Sequence, residues 1–555
     1  MRKANQKDLR CTHRRGGCVI DALHTKRLLL PFIVFLLLLC AAPVVLGTIL
    51  GLTDFRDVGY ADSATLLIVR ELIRSGHIYH DLNRPPYLAT LYGPFTYFIV
   101  GVPYVLAQLV DVNPQYAVRV VVAGAFCICL SLIFLISRRF YRSNQIAWLC
   151  VLFGLSVPSL TTWATRIRPD LMAAGFSLTS IYLFILSNRR LSRVGAAICA
   201  GFAVLVKQTY LAVPLAIICW YIYNRRYRDV ALWTACFAVT VGAGYGILLW
   251  REPLMLQHIA AMRKPILDYH GALEIVLDAV SQPVAPFAAL GGIVAFRNRT
   301  PDRLLLVIYW VVAWLMAVLT IIQAGGNINY FWEPLMASAI LAGPVLWELH
   351  RDVKQAPLFV TAIIYVLLLQ SFLPTVRNNL NIFGRQYHYV RNYQVLRAKW
   401  ESFLRVVSGR RLLSTLPDVA IRSKTPEILD PFFIASLEIR GMWNSGPIIA
   451  QIDAAEYDLI IVQKAQAEKE DFYRAIPKWS HRIWSAVKRR YTPVCTFEEM
   501  EIWLPGKGSN ELFRDLLAIG CAPVIKPKLQ SLRAFGPLDV QQSQTIGFLF
   551  PNNAF

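Results

Sequence analysis

The sequence predicts a multi-pass α-helical membrane protein with a small α/β domain at its C-terminal end. Of the 555 residues, 56% are hydrophobic and 17% are charged, which is too apolar for a soluble globular protein. Residues 28–50 contain no charged side chain and are long enough to cross a hydrocarbon core of about 30 Å. After about residue 375 the apolar runs shorten to strand length and charged residues are interspersed.

Basic loops give the membrane topology. The net charge is +22, but Lys and Arg cluster in short loops between apolar runs, which is the positive-inside pattern and does not indicate nucleic-acid binding. We assign to the cytoplasmic side the tail 1–27 and the loops 138–142, 188–193, 224–228, 296–303 and 350–354. Most of the 11 Cys lie in apolar runs and none has CxxC spacing, so neither a metal site nor a disulfide framework is indicated.

The apolar runs of a transmembrane domain, residues 28–375, predict about 11 crossings of a cell (inner) membrane. They are 28–50, 118–137, 146–163, 171–187, 194–206, 208–223, 230–250, 274–296, 303–323, 332–349 and 356–374. The run 95–110 is interrupted by Gly101 and Pro103, and we predict a re-entrant or interface-lying helix. Residues 194–223 predict a short hairpin with Lys207 at its outer apex. The basic tail places the N-terminus in the cytoplasm, and the odd number of crossings then places the C-terminus outside.

The C-terminal part is predicted to be an extracytoplasmic α/β domain over residues 376–507, followed by a loosely packed tail, 508–555. Its predicted strands and helices are short and alternate along the chain. The strands are 411–415, 457–462, 492–497 and 501–505, and the helices are 446–456 and 468–487. No Gly-rich loop leads into a helix N-terminus here, so a nucleotide-sugar donor is less favoured than a lipid-linked one.

The topology gathers polar residues at the outer face, where ionisable groups are costly and therefore indicate function. They lie in a first outer loop (51–94), a second near 165–170, the apex at Lys207, and the loops 251–271 and 324–334. Asp54 and Asp57 have a structural alternative, as N-caps or solvated charges before a helix that starts near Asp62. Residues 62–76 predict an interfacial amphipathic helix, whatever the activity.

The other outer residues also have structural alternatives. Arg168 and Asp170 could form an ion pair at a helix start, since an acidic residue stabilises a helix N-terminus. Lys207 could extend its ammonium to the membrane interface. Asn329 and Tyr330 could be a turn residue and an interfacial aromatic residue.

The order of these residues resembles the GT-C superfamily of integral membrane glycosyltransferases, in the group of protein O-mannosyltransferases, aminoarabinose transferases and Rgt-type enzymes. The resemblance covers roughly residues 28–375 and, more loosely, 410–465. The motifs are D-V-G-Y (57–60), G-H-I-Y-H-D (76–81), P-Y-L-A-T-L-Y-G-P (86–94), R-P-D-L-M-A (168–173), V-K-Q-T (206–209) and N-Y-F-W-E-P-L (329–335), ahead of Leu341-Ala342-Gly343. It implies a GT-C-like bundle and a polyprenyl-phosphate-linked sugar donor, with an extracytoplasmic glycan, lipid or protein as acceptor.

The resemblance implies roles for individual residues. Asp57 matches the essential Asp of the first outer loop and would be the general base of an inverting transfer, with Asp54 as its rival. Many members have an acidic residue where this chain has Val58, which leaves metal binding through a paired acid in doubt. No cofactor is certain, although a divalent metal, Mg or Mn, is an open option. Asp170 would be a supporting acid.

The remaining candidates would bind the donor or the acceptor. Cations stabilise a departing lipid phosphate when they are preorganised in a site of low dielectric. The candidate phosphate partners are Lys207, Arg168, Arg263 and Lys264, and the candidate sugar- or acceptor-binding residues are Tyr60, Tyr79, Tyr92, Asn329, Tyr330 and His270. The alternative function is a transporter or flippase of lipid-linked saccharides, although such proteins often show internal repeats, and none is visible. A third reading is a non-catalytic scaffold whose polar cluster tolerates substitution.

Overall fold

A computed structural model describes most of the chain. The described residues are 28–54, 61–84, 86–90, 92–187, 189–262, 267–297, 300–323, 325–353, 357–423, 431–463, 479–498, 500–506 and 510–524. Their N-terminal part is a bundle of helices around an apolar core. The bundle helices are Leu29–Thr53, Ala61–Ser75, Pro94–Leu109, Pro114–Tyr141, Asn144–Leu155, Leu160–Trp163, Asp170–Leu186, Arg190–Val206, Ala212–Tyr223, Tyr227–Arg251, Met255–Met262, Tyr269–Ser281, Val284–Arg297, Pro301–Ile321, Trp332–Val353 and Leu358–Arg391.

Within the described ranges, five helices are long and apolar enough to cross a membrane, or six if a bent pair counts as one span. They are Leu29–Thr53, Pro114–Tyr141, Tyr227–Arg251, Pro301–Ile321 and Phe359–Arg391, with Tyr269–Ser281 and Val284–Arg297 as the bent pair. Several other predicted crossings form apolar helices of 10–17 residues. The predicted number of about 11 crossings is therefore not confirmed.

Two predicted crossings are interrupted at a proline, which corrects the sequence-based bounds. The segment 146–163 divides into Asn144–Leu155 and Leu160–Trp163, with Pro158 between them. The segment 274–296 divides at Pro283, where the two helices are bent by 68°. Proline lacks the N–H that continues a helix, and it disfavours helical backbone in the residue before it.

Helix Pro94–Leu109 begins and ends at the same end of the bundle. Near its start, the hydroxyl of Thr96 donates to the carbonyl of Val206, 2.7 Å away, next to Lys207. In the helix that follows, Arg119 donates to the carbonyl of Gly51 at 3.2 Å, where the first outer loop begins. Since the sequence places both Lys207 and that loop on the outer face, this geometry agrees with a helix that does not cross.

The C-terminal domain contains a five-stranded sheet in the order β1-β2-β4-β3-β5. β1 and β2 are parallel, and the other neighbours are antiparallel. The strands are β1 Leu412–Ser414, β2 Leu459–Gln463, β3 Tyr491–Phe497, β4 Met500–Pro505 and β5 Ala522–Pro523, and the helices around them are Tyr393–Val407, Pro417–Arg422, Pro431–Ile439, Gly446–Asp453, His481–Arg490 and Asn510–Ala518. The four predicted strands are confirmed.

The last part of the chain corrects two expectations. Helix Asn510–Ala518 buries Leu512 and Leu516, and β5 pairs with β3, so part of the predicted tail belongs to the sheet domain. A disulfide joins Cys495 on β3 to Cys521 beside β5, across 26 residues. Spacing rules did not indicate it, because the two thiols meet only when the strands pair. At the other end of the domain, helix Leu358–Arg391 runs through the predicted boundary at residues 375 and 376.

Loss of this disulfide is expected to destabilise the sheet domain. A bridge closing a loop of this length stabilises a fold by about 3 kcal/mol, chiefly by restricting the unfolded chain. We expect the Cys495→Ser/Cys521→Ser variant to become sensitive to proteolysis within the sheet domain at a lower temperature than wild type. The matched control is Cys219→Ser, an exposed free cysteine of the bundle, for which the same assay should show no change.

The first outer loop is built into the sheet domain. Leu82, Tyr87 and Ala89 belong to the apolar core on one face of the sheet, where the rings of Tyr87 and Trp443 meet edge to face at 6.1 Å. Leu88 belongs to the core on the opposite face. The loop therefore joins the bundle to the sheet domain, and the residues that follow it lead directly to the candidate site.

Candidate active site

A buried carboxylate lies at the centre of the site. Asp170 is the first residue of helix Asp170–Leu186 and is fully buried. Its Oδ1 accepts hydrogen bonds from the ammonium of Lys207 and from the amide of Asn329, the latter at 2.9 Å. Lys207 directly follows helix Arg190–Val206. A negative charge at a helix N-terminus and a positive charge at a helix C-terminus are both favourable, so the two helix ends support this pair.

Aromatic rings enclose the two cations. The ammonium of Lys207 lies 4.0 Å from the ring centroid of Tyr330. The guanidinium of Arg168 donates to the hydroxyl of Tyr92 at 3.1 Å and lies 5.0 Å from the ring centroid of Trp163. Rings at these distances attract a cation through their quadrupole and exclude water from it. The cations are thus held in a partly desolvated setting.

Gly93 explains how Tyr92 reaches this cluster. A Cβ atom at residue 93 would lie 2.1 Å from the carbonyl oxygen of Leu205, so the backbone of the outer loop can approach this helix end only with glycine. Pro94 then occupies the first turn of the next helix, where its missing N–H costs nothing. The Y-G-P sequence therefore lets the chain pass close to the helix end that precedes Lys207.

Two buried oxygen atoms of the cluster lack a protein donor. Among the described residues, Oδ2 of Asp170 and Oδ1 of Asn329 have no hydrogen-bond partner. Glu333, one helical turn beyond Asn329, is also buried and accepts from the hydroxyl of Tyr309 at 3.3 Å. A buried acceptor left without a donor costs about 1–3 kcal/mol, so a further hydrogen-bond donor at these atoms would stabilise the cluster.

The structure brings together six of the predicted site residues, and three other described candidates lie elsewhere. The six are Tyr92, Arg168, Asp170, Lys207, Asn329 and Tyr330. Asp57, Tyr60, Arg263 and Lys264 lie outside the described residues. Tyr79 packs against His258 at 5.2 Å, and the exposed His270 pairs with Glu274 at 3.5 Å. Asp54 ends the first helix, and its carbonyl accepts from Arg119.

A second polar cluster fastens the first outer loop to the residues that follow helix Tyr227–Arg251, including helix Met255–Met262. Glu252 accepts from the backbone N–H of Ile78 at 3.0 Å and lies 3.3 Å from the ring of His77. The ring of His258 accepts from the N–H of Thr90 at 3.1 Å, and its other nitrogen lies 2.8 Å from the carbonyl of His80. This pattern requires a neutral imidazole, with one nitrogen accepting and the other donating.

Acidification is expected to weaken this attachment. Burial lowers the pKa of His258 from 6.5 to about 4. Because the folded-state pKa is depressed, the stabilisation is complete above pH 6.5 and is lost as the pH falls towards 4, by about 3 kcal/mol in total. We expect hydrogen exchange at the Thr90 amide to accelerate over that interval. The side chain of His258→Gln cannot titrate. In this variant the exchange rate of the Thr90 amide, corrected for the intrinsic pH dependence of exchange, should stay constant over the same interval. An equal acceleration in the variant would contradict the role given to His258.

Arg119 is a buried charge of the site region that the sequence reasoning missed. It lies in helix Pro114–Tyr141 and is 1% exposed. Its guanidinium bonds the carboxylate of Asp62 at 2.9 Å. A single Arg near the start of a long apolar run was the available signal, because an unpaired charge there is costly. The partner could not be read from the sequence, since Asp62 lies 57 residues away.

The residues described do not by themselves make a metal site. Asp170 and Asn329 offer oxygen ligands of the kind that Mg²⁺ or Mn²⁺ prefers. However, Lys207 already neutralises Asp170, and no group of three His, Cys, Asp or Glu side chains suited to a metal occurs in the described ranges. Metal dependence therefore stays a sequence-based prediction.

Comparison with known proteins identifies the fold. No protein-family model and no curated protein matches the sequence. Among solved structures, ArnT from Cupriavidus metallidurans superposes with a TM-score of 0.56 in the apo state and 0.55 when bound to undecaprenyl phosphate, at 14% identity, covering 84% of this chain and 97% of ArnT. The oligosaccharyltransferase AglB from Archaeoglobus fulgidus, in complex with an inhibitory peptide and a dolichol-phosphate, gives 0.51 at 12% identity, covering 88% and 77%. The chain has the GT-C fold, as the sequence motifs predicted.

Proposed function

We propose that this protein is an integral membrane glycosyltransferase that moves a sugar from a polyprenyl-phosphate-linked donor to an extracytoplasmic glycan, lipid or protein. The observation that carries the proposal is the buried Lys207–Asp170–Asn329 cluster, with Arg168 and Tyr92 beside it, at one end of a bundle with the GT-C fold. Solved structures with this fold hold undecaprenyl phosphate or a dolichol-phosphate. In this chain, apolar helices beside the site suit the apolar tail of a lipid phosphate, and the cations suit its phosphate group.

The cations would bind the phosphate of the donor. Lys207 and Arg168 are held by Asp170, Tyr92 and aromatic rings before any ligand arrives. A preorganised cation stabilises charge that develops on a leaving phosphate without reorganisation at the moment of reaction. Hydroxyl groups of the sugar would supply the donors that Oδ2 of Asp170 and Oδ1 of Asn329 lack among the described residues.

In the proposed reaction, Asp57 accepts the proton of an acceptor hydroxyl, whose oxygen attacks the anomeric carbon. The new bond from oxygen to that carbon forms as the bond to the phosphate oxygen breaks. The electron pair of the broken bond leaves with the polyprenyl phosphate. Attack from the face opposite the phosphate inverts the anomeric configuration, through a transition state with oxocarbenium character. No step in this scheme depends on a metal.

The disulfide supports an extracytoplasmic position for the sheet domain. Disulfides persist in oxidising compartments and are rare in the cytosol. We expect that rapid acid quenching of cells, alkylation of free thiols and peptide mass spectrometry recover Cys495 and Cys521 unalkylated until a reductant is added. Recovery of both as alkylated thiols from unreduced cells would place the domain on the cytoplasmic side and reverse the proposed orientation.

Binding and turnover test the function directly. The full-length protein in detergent is expected to bind undecaprenyl phosphate saturably, and undecaprenol, which lacks the phosphate, should not compete. Arg168→Gln should weaken binding roughly tenfold, since it removes one charge-assisted contact to the phosphate. Arg193→Gln is the matched control, because Arg193 lies near the opposite end of helix Arg190–Val206 and bonds Tyr221 at 2.5 Å.

The turnover assay separates the two candidate functions. Undecaprenyl-phosphate-linked glucose, mannose and arabinose are offered with membrane glycolipid acceptors, and the release of undecaprenyl phosphate is measured. Release with at least one donor supports the transferase. Binding of every donor without release, together with movement of a lipid-linked saccharide across proteoliposomes, would instead support the flippase. Failure to bind undecaprenyl phosphate at all would contradict the proposal.

A further inference from the structure

Arg119 is held by three different parts of the chain. Its Nη2 and Nε donate to Oδ2 of Asp62, at 2.9 and 3.3 Å, near the start of helix Ala61–Ser75. Its Nη1 donates to the carbonyl of Gly51, at 3.2 Å, and to the carbonyl of Asp54. These carbonyls end helix Leu29–Thr53, where a positive charge is favourable. One guanidinium thus joins the chain just before and just after residues 55–60.

Asp62 connects the same network to the site. Its Oδ1 accepts from the backbone N–H of Ile167 at 2.8 Å, and its Oδ2 lies 4.0 Å from the guanidinium of Arg166. The hydroxyl of Thr65 donates to the carbonyl of Ile167 at 3.3 Å. Ile167 directly precedes Arg168 in the chain. The network therefore fixes the backbone next to Arg168, whose guanidinium bonds the hydroxyl of Tyr92.

We propose that Arg119 is a positioning residue that sets the first outer loop against residues 166–170. The proposal rests on the proposed function, because the loop carries Asp57 and the segment carries Arg168 and Asp170. In this role Arg119 touches neither donor nor acceptor. It holds the chain on both sides of residues 55–60 against residues 166–170, through Asp62, Ile167 and the carbonyls at the end of the first helix.

The guanidinium group is required by this geometry. Arg119 presents a planar fork of five N–H donors, which reaches a carboxylate on one side and two carbonyl oxygens on the other. A lysine keeps the charge but concentrates it at one nitrogen, which cannot serve all three acceptors in the same positions. Arg119→Lys therefore keeps a positive charge beside Asp62 while it loosens the bonds to Asp62 and the anchor at the first helix end.

The first test compares turnover with binding in Arg119→Lys. We expect turnover of the donor used by the wild type to fall about 100-fold, because a misplacement of about 1 Å costs that much in an oriented reaction. The KM for the donor and the affinity for undecaprenyl phosphate should stay within about threefold, since Arg168 and Lys207 remain. Hydrogen exchange at the Ile167 amide should accelerate, which reports the loosened contact with Asp62.

Asp62→Asn provides a second variant. Its one amide oxygen can still accept from Ile167, but the NH2 group that replaces Oδ2 cannot accept from Arg119, so we expect a loss of turnover similar to that of Arg119→Lys, about 100-fold. Because the two residues act as one unit, Arg119→Lys/Asp62→Asn should lose no more than Arg119→Lys alone. Additive losses in the double variant would contradict the shared role. If Arg119→Lys does not fold, the comparison of Asp62→Asn with Asp62→Glu carries the test.

The matched control is Arg193→Lys, which alters a partly buried Arg near the opposite end of helix Arg190–Val206, with its side chain 11% exposed and paired with Asp229 at 4.0 Å. Its turnover should stay near wild type. If Arg119→Lys and Arg193→Lys lose turnover and melting temperature to the same extent, the pair of Arg119 and Asp62 is purely structural, and the inference is overturned. A fall in undecaprenyl phosphate affinity as large as the fall in turnover would also overturn it. If the wild type neither binds nor turns over donor, the proposed function itself fails, and this inference with it.

Discussion

Lys207→Met is expected to abolish sugar transfer and to destabilise the protein by about 3–5 kcal/mol, because it leaves the buried carboxylate of Asp170 without its cation. Transfer should fall at least about 100-fold, since a preorganised charge at the leaving phosphate is lost. Stability is measured by thermal unfolding in detergent, and transfer by release of undecaprenyl phosphate. Both losses should exceed those of any other single substitution in the cluster that the structure describes.

The double variant Lys207→Met/Asp170→Asn separates structure from catalysis. Removing both charges of a buried pair is often close to neutral for stability, and the amide oxygen that replaces the carboxylate of Asp170 can still accept from the amide of Asn329. We expect most of the melting temperature to return while transfer stays lost. Recovery of transfer together with stability would instead show that Lys207 and Asp170 are only a structural ion pair at the two helix ends.

Asp57→Asn is expected to reduce transfer by about 10²- to 10⁴-fold, the usual contribution of a general base. Binding of undecaprenyl phosphate should be unchanged or slightly tighter, because one negative charge near the phosphate is removed. The measurement is single-turnover release from the donor at saturating protein, which isolates the chemical step from binding.

Asp54→Asn is the matched control for Asp57→Asn. The backbone carbonyl of Asp54, which accepts from Arg119, is retained in the variant. We therefore expect transfer close to wild type. If Asp54→Asn abolishes transfer and Asp57→Asn does not, the roles are exchanged and Asp54 is the base. Full activity in both variants would remove the first outer loop from the base role.

Much of the fold follows from local patterns in the sequence. The strands Leu412–Ser414, Leu459–Gln463, Tyr491–Phe497 and Met500–Pro505 lie where short apolar runs between charged residues predicted them. Some of the polar residues that the topology assigned to one face also meet in space, among them Lys207, Asp170 and Asn329. Both predictions succeed because periodicity and loop position depend on neighbours along the chain.

The failures have physical causes as well. Pro158 and Pro283 interrupt segments whose hydropathy alone indicates single crossings, because hydropathy does not register a missing backbone N–H. The pairing of Cys495 with Cys521 depends on β5 joining the edge of the sheet, and no spacing rule contains that information.

The sequence by itself determined that the chain is a membrane protein, that a small sheet domain follows the apolar helices, and which loops carry the candidate site residues. Only the tertiary structure decided which charges pair: Lys207 with Asp170, and Arg119 with Asp62. It also decided that the first outer loop packs into both faces of the sheet domain. Buried charges must find partners at low dielectric, and those partners come from distant segments whose approach is set by packing rather than by local sequence.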